Sequence, residues 1–205
     1  KLGCILPMYA FLSFDVVKDN KLLHHHTERA KSWNRNHWAK VIGGMACTVG
    51  TGAIFDAGYL SSKNTSGTVY SVSNYGAQLY DRQGLNIIVG TGDTVFNIND
   101  YKLDTAIADG SGSGELTHQS DSSKVLSYDS TEGSEAWECE WYRQFNNNSG
   151  GSITVKECGL TENMSYFYGA NFYNSSGKFL FERTVLGSPV AVADGAMLTV
   201  TYTLT

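Results

Sequence analysis

Charge is scarce in this chain of 205 residues: only 17% are Asp, Glu, Lys or Arg, against roughly 25% in ordinary soluble domains. The formal net charge is −5, and no run of Lys or Arg offsets it. An electrostatic footprint for nucleic acid is therefore lacking. No apolar stretch approaches the ~18 residues of a membrane-spanning helix. The mildly hydrophobic opening Lys1–Leu12 is broken by Pro7 and lacks the small-residue cleavage site of a secretory leader. The first residue is Lys, so further N-terminal residues are expected ahead of it. Cys4, Cys47, Cys139 and Cys158 are too few for a disulfide scaffold and show no CxxC spacing for zinc or redox work. Proline is almost absent, with 2 residues.

What is present is apolar, aromatic and turn-forming. Hydrophobic residues make up 41% and there are 22 glycines, a globular composition rather than a disordered one. A surface low in charge and rich in Ser, Thr, Asn and Tyr suits packed protein contacts, which deplete charge and favour aromatics.

Tyr9–Val17 alternates and is rich in aromatic and β-branched residues, the pattern of a strand. Lys18-Asp19-Asn20-Lys21 supplies a turn and Leu22–His26 a returning strand. From Thr27 the period changes. Ala30, Trp33, His37 or Trp38, and Val41 form an amphipathic stripe, predicting a helix over Thr27–Met45 that starts at Thr27 or Ser32 and stops at Gly43-Gly44. Its Trp33, Trp38 and Val41 side is expected to be packed. Short strands follow at Gly67–Ser73, Leu85–Val89, Gly114–His118, Lys124–Tyr128, Ala136–Phe145, Ser152–Glu157, Lys178–Val185 and Met197–Leu204. The expected fold is mainly β, an antiparallel sandwich or jelly roll with an N-terminal hairpin and one substantial helix. It is read as a single domain, residues 1–205, with 1–47 as a hairpin-plus-helix element.

A turn at Asn146–Gly151 would pair Phe145 with Ser152, Arg143 with Thr154 and Trp141 with Lys156. That register sets Cys139 opposite Cys158 and permits a disulfide. It also sends Trp141 and Phe145 to one face but Ile153 and Val155 to the other. A bulge would reconcile the two apolar sets at the expense of the cysteine pairing, leaving two separately buried thiols.

Residue types that carry chemistry are thinly spread. In His24-His25-His26 only His24 and His26 can share a strand face, and no acid or thiol stands at a ligand spacing for a closed zinc site. Ile87–Gly92 lacks the Lys and Ser/Thr of a phosphate loop, so its glycines are read as a tight turn. Glu138 and Glu140 share a face about 7 Å apart, within reach of glycosidase geometry. With Glu135 they also suit any half-exposed strand. No nucleophile elbow occurs. No catalytic residue, metal or cofactor is expected. The sequons at Asn64, Asn147, Asn163 and Asn174 are what an Asn- and Ser-rich chain contains by chance.

Five segments carry a further signal: Ile88-Val89-Gly90-Thr91-Gly92, Asp100–Asp104, Phe145–Leu160, Arg183–Thr203, and Val16–Trp38 with its Ala30–Asn36 core. In order and number they resemble a recurrent family of tailed-bacteriophage virion structural proteins. That family shows a VGTG turn, an NNSG-x-ITV-x-E-x-GL segment and an SPV-x-V-x-DG-x-LTVTYT terminus. The stretch Thr48–Tyr80 is not covered. The resemblance implies a non-enzymatic part of the virion, decorating the head or joining head and tail. Its expected partners are capsid, connector or tail subunits and further copies of itself. The alternative is a carbohydrate-binding module on a phage fibre, using Tyr166, Phe167, Tyr168 and Tyr173.

Overall fold

Alternation of apolar and polar residues builds the first sheet. Strands β1 (Ala10–Lys18) and β2 (Lys21–Arg29) form a hairpin whose two turn residues, Asp19 and Asn20, have φ of 51° and 59°. Positive φ at both positions marks the tight turn whose twist matches paired strands, and Asp and Asn tolerate it best after Gly. In this computed structural model the described residues are 10–30, 32–39, 61–71, 85–120, 122–130, 136–168 and 171–205.

The remaining strands are β3 (Ser61–Lys63), β4 (Val69–Ser71), β5 (Leu85–Gly90), β6 (Thr117–His118), β7 (Ser122–Asp129), β8 (Ala136–Asn146), β9 (Ile153–Tyr168), β10 (Asn171–Val192) and β11 (Met197–Leu204). One sheet runs β2-β1-β11-β8-β6, with β7 also on β8; a second runs β10-β9-β5; β3 and β4 pair alone. Every described register is antiparallel. The expected mainly-β, antiparallel architecture is what the chain adopts.

The chain divides into two compact units. Unit 1 comprises Lys1–Lys31, Ile107–Val155 and Leu186–Thr205; unit 2 comprises Ser32–Ala106 and Lys156–Val185. Strands β9 and β10 contribute residues to both. In unit 1, Leu12 lies opposite Tyr202, Phe14 opposite Val200 and Val16 opposite Leu198, while Leu198 also faces Phe145 on β8. All seven are buried. The other face of β11 is mainly threonine, with Met197 at its start. The expectation that Met197–Leu204 is an integral strand with one apolar face matches this burial.

Three expectations are corrected. First, Ala136–Phe145 and Ser152–Glu157 do not form a hairpin. β8 pairs with β11 and β7, placing Cys139 opposite Leu204 and Leu126. β9 pairs with β5, placing Cys158 opposite Val89. Cys139 and Cys158 are not joined by a disulfide. The conflict of faces is resolved by assigning the strands to different sheets, so that Phe145, Ile153 and Val155 are all buried.

Second, the helix does not begin at Thr27. The β1–β2 ladder continues through Thr27 opposite Ser13 and Arg29 opposite Phe11. The described helix, α1, is residues 35–39, started by Asn34, whose Oδ1 accepts the His37 N–H at 3.2 Å. Ladder hydrogen bonds from β1 outweigh the weak helical preference of the segment 27–29. Trp38 is 47% exposed, and Trp33 makes an antiparallel bridge with Glu182. Val41 and the segment 40–45 lie outside the described residues. Third, the element 1–47 is split, the hairpin belonging to unit 1 and α1 to unit 2.

Candidate binding cleft and its buried clasp

The site is built on a charged residue at a core position. Along β9, Ile153, Val155 and Glu157 point the same way by strand alternation, and all three are buried, Glu157 completely. An isolated buried carboxylate would be very costly, so it needs a partner and hydrogen bonds. Arg183 on β10 supplies the partner. It is also almost fully buried, and its Nε donates to Glu157 Oε2 at 2.7 Å. Nη1 reaches Asp100 Oδ2 at 2.8 Å, and Nη2 donates to Thr94 O at 3.0 Å and Thr94 Oγ1 at 3.1 Å.

The carboxylate of Glu157 is then saturated by backbone amides. It accepts from Gly92 at 3.3 Å, Asp104 at 3.1 Å and Thr105 at 2.8 Å. Burial on its own pulls the Arg183 guanidinium down. The hydrogen bonds and charges of Glu157 and Asp100 outweigh it, and the pKa ends above the ordinary value. This is a buried ion pair with its lone pairs and protons satisfied, the condition under which such a pair is tolerable.

The clasp holds a loop. Residues 91–105 leave β5 and return beside it, closed by the Thr91 N–H to Thr105 O bond at 2.8 Å and the Gly90–Ala106 bridge. The glycines of the VGTG turn are explained here. A Cβ on Gly90 would sit 2.5 Å from Glu157 Oε1 and 2.6 Å from Thr105 O, and one on Gly92 would sit 2.7 Å from Glu157 Oε1. The glycines permit close approach to a buried carboxylate, not phosphate binding.

Two buried asparagines fix the surroundings. Asn34 Nδ2 donates to Asp100 O at 2.9 Å and Leu180 O at 2.7 Å. Asn36 Nδ2 donates to Lys63 O at 2.8 Å and Leu180 O at 3.0 Å, and its Oδ1 accepts the Lys63 N–H at 2.8 Å. Arg35 N–H donates to Ile98 O at 2.8 Å. The start of α1, the β3–β4 hairpin and the loop tip are thereby held around a cleft of about 220 Å³, lined by Arg35, Asn36, Lys63, Val69, Asn99 and Asp100. Val69 is 59% exposed, Ile98 54% and Val95 90%. Lys63 Nζ lies 3.8 Å over the Tyr101 ring, a cation–π contact that covers one face of that aromatic.

The residues singled out in the sequence fall elsewhere. His25 Nδ1 meets Asp15 Oδ1 at 2.6 Å, and His26 Nε2 meets Glu28 Oε2 at 3.2 Å. The His24 and His26 ring centroids are 6.4 Å apart on one side of β2. Among the described residues no group of three His, Cys, Asp or Glu is placed to hold a metal ion. Glu138 is exposed and Glu140 half-buried on β8; Glu135 lies outside the described residues. Tyr166, Phe167 and Tyr168 fall on β9 and Tyr173 on β10, with side chains outside the described set. The sequon residue Asn147 is fully buried and donates to Gly151 O and Val192 O, both within 2.8 Å; Asn64 is also buried. Neither can carry a glycan in the folded chain.

Sequence reasoning missed Glu157 and Arg183 as a pair, although both lie inside the segments that carry the family resemblance. The available signal was a Glu at the third inward position of the ITV-x-E alternation. Among the described residues no helix is long and apolar enough to cross a membrane. Comparison with known protein families, curated proteins and solved structures finds no match.

Proposed function

We propose that this chain is a non-enzymatic structural subunit of a tailed-phage virion, and that it acts by binding other virion proteins through loop 91–105 and the adjoining cleft. One observation carries the binding role. A fully buried ion pair fixes a loop whose tip presents Val95 at 90% exposure and Ile98 at 54%. A loop serving only as a connection needs no such anchor, since a buried ion pair is a weak source of stability compared with apolar packing. A loop held rigid before contact loses less conformational entropy on association, and that raises affinity. The low charge and the interface-like composition support the same role. The resemblance of Phe145–Leu160 and Arg183–Thr203 to tailed-phage proteins supplies the virion setting.

Mass spectrometry and negative-stain microscopy of purified particles test the reading. The chain is expected in the particles. Val95→Asp with Ile98→Asp should keep the β circular-dichroism spectrum yet fail to enter them. Normal incorporation of the double variant, or a chain found only as a free monomer, would sink the proposal.

A further inference from the structure

Among the described residues β2 stands at one end of its sheet, with β1 as its only strand neighbour. Edge strands are usually kept from pairing by being short or by carrying Lys or Pro. This one is 9 residues long, and Leu22–Glu28 holds neither Lys nor Pro. Leu22 and Leu23 are 56% and 52% exposed. The acid of the strand, Glu28, is matched by His26 Nε2 at 3.2 Å and accepts the Gly187 N–H at 2.9 Å, so its charge does little to repel a partner. A β-bulge at Leu23, between the Val16–His24 and Val17–Leu22 pairs, ends the regular run on the turn side.

The ladder with β1 fixes which backbone groups face outward. The Ala30 N–H donates to Ala10 O at 2.8 Å. Hydrogen-bonded pairs therefore alternate through Leu12–Glu28, Phe14–His26 and Val16–His24, as antiparallel pairing requires. The N–H and C=O groups of His25, Thr27 and Arg29 consequently point away from β1, a ready row of donors and acceptors.

We infer that this edge pairs with the same edge of a second copy of the chain, antiparallel, about a two-fold axis at His26. The surface belongs to unit 1, whereas loop 91–105 belongs to unit 2. Complementarity selects the register. About His26, the His25 backbone of each copy exchanges both hydrogen bonds with Thr27 of the other. His24 of each copy lies opposite Glu28 of the other, an imidazole–carboxylate pair on either side of the axis. Glu28 keeps its present bonds, since a carboxylate offers about four acceptor sites. Leu23 lies opposite Arg29, whose aliphatic stem covers it. Neighbouring registers are poorer. An axis at His25 sets every histidine against a histidine. One at Thr27 sets His25 against Arg29 and leaves Leu23 outside the ladder. One at His24 runs the ladder into the bulge and the turn at Asp19-Asn20.

The fit of the strand to its own reverse is what names the occupant. A contact of this kind closes on itself with one axis, the commonest form of oligomer. The run Leu23–Arg29 is about 23 Å long at roughly 3.3 Å per residue. A seam of one strand per copy is smaller than a standard interface of ~1,600 Å². The dimer is therefore weak in dilute solution and is favoured where copies are concentrated.

Sedimentation equilibrium of the whole chain over a wide concentration range should show a reversible monomer–dimer equilibrium. Thr27→Pro removes an outward N–H that β1 does not use. It should weaken dimerisation roughly tenfold or more while the β circular-dichroism spectrum is kept. His26→Cys places two thiols on the axis as a non-hydrogen-bonded pair, with Cα atoms about 4.5 Å apart, which a disulfide spans. Mild oxidation should link this variant through position 26, mapped by peptide mass spectrometry because the chain has 4 native cysteines. His25→Cys should cross-link far less. The cysteine pair decides even where Thr27→Pro does not fold. A chain monomeric at every concentration, an undiminished dimer in folded Thr27→Pro, or linkage through position 25 rather than 26 would overturn the inference. Hydrogen-exchange protection of His25 and Thr27 by a different purified virion protein, with the chain itself monomeric, would assign the edge to that protein instead.

Discussion

Unit 1 and unit 2 are both β-built, yet they bury different kinds of residue. Eleven polar or charged residues are buried among those described, and Asn147 is the only one in unit 1. The other ten, including Glu157, Glu182, Arg183, Asn34 and Asn36, belong to unit 2. Unit 1 is held by an apolar seam of Leu12, Phe14, Val16, Phe145, Leu198, Val200 and Tyr202. Apolar burial is non-directional and tolerant of small shifts. A hydrogen-bonded ion pair is directional and fails as a whole when one member is lost. The contrast suggests that unit 1 supplies stability, while unit 2 gives up some of it to hold a loop and cleft in one geometry.

The sharpest way to break this comparison is to remove Arg183. Arg183→Met leaves Glu157 buried without a counter-charge and should cost about 3–5 kcal/mol, measured by urea denaturation. Hydrogen exchange should rise first at the Gly92, Asp104 and Thr105 amides, which donate to Glu157. Adding Glu157→Leu should recover only part of the loss, because those three amides then have no acceptor. Full recovery would mean that the loop does not depend on the clasp.

A smaller effect is expected from methyl groups placed in each unit. Gly90→Ala in unit 2 drives a Cβ into Glu157 Oε1 and Thr105 O and should cost about 1–3 kcal/mol, the range for overpacking. Gly151→Ala in unit 1 meets nothing within 4 Å and should stay within about 0.5 kcal/mol. Equal thermal shifts for the two would erase the distinction.

Cys139→Ser should cost well under the ~2–5 kcal/mol that loss of a native disulfide brings. Without reductant, iodoacetamide should label both Cys139 and Cys158 once the chain is unfolded. In the folded chain, burial raises the Cys139 thiol above its usual range, so its labelling rate should climb at higher pH than that of free cysteine.

The smallest effect concerns an ion pair of unit 2 that lies in solvent. Lys156 Nζ meets Asp93 Oδ2 at 2.9 Å, and the hydrogen bond and charge of Lys156 lower the Asp93 pKa. A depressed carboxylate stabilises the fold above its unfolded pKa, and that contribution fades as pH falls through the folded value. Exposure and salt screening make it slight. Lys156→Ala should leave the urea midpoint unchanged at neutral pH. A loss approaching that of Arg183→Met would show that burial is not what separates the two pairs.

Much of unit 1 was legible in the sequence. The alternation in Tyr9–Val17 and Met197–Leu204 located β1 and β11, and Asp19-Asn20 announced the tight turn between β1 and β2. Period-2 hydrophobicity is a local property, and where one face is buried it leaves little freedom of register. The lengths of β9 and β10 were not legible. The strands expected at Ser152–Glu157 and Lys178–Val185 were short, whereas β9 continues to Tyr168 and β10 spans Asn171–Val192. Gly159 is required in β9 because a Cβ would come within 2.9 Å of Leu103 and Leu180.

By itself, then, the sequence determined the β class, most strand positions, the hairpin turn and the scarcity of charge. Each of these depends on neighbours within a few residues. Only the tertiary structure decided which strands pair, that Cys139 and Cys158 face different partners, and that Glu157, Arg183 and Asp100 meet. These residues are separated by 26 and 83 positions from one another along the chain. Nothing in local periodicity encodes such a meeting. It arises when folding removes water from two sheet positions, leaving opposite charges no other partner than each other and the loop that closes over them.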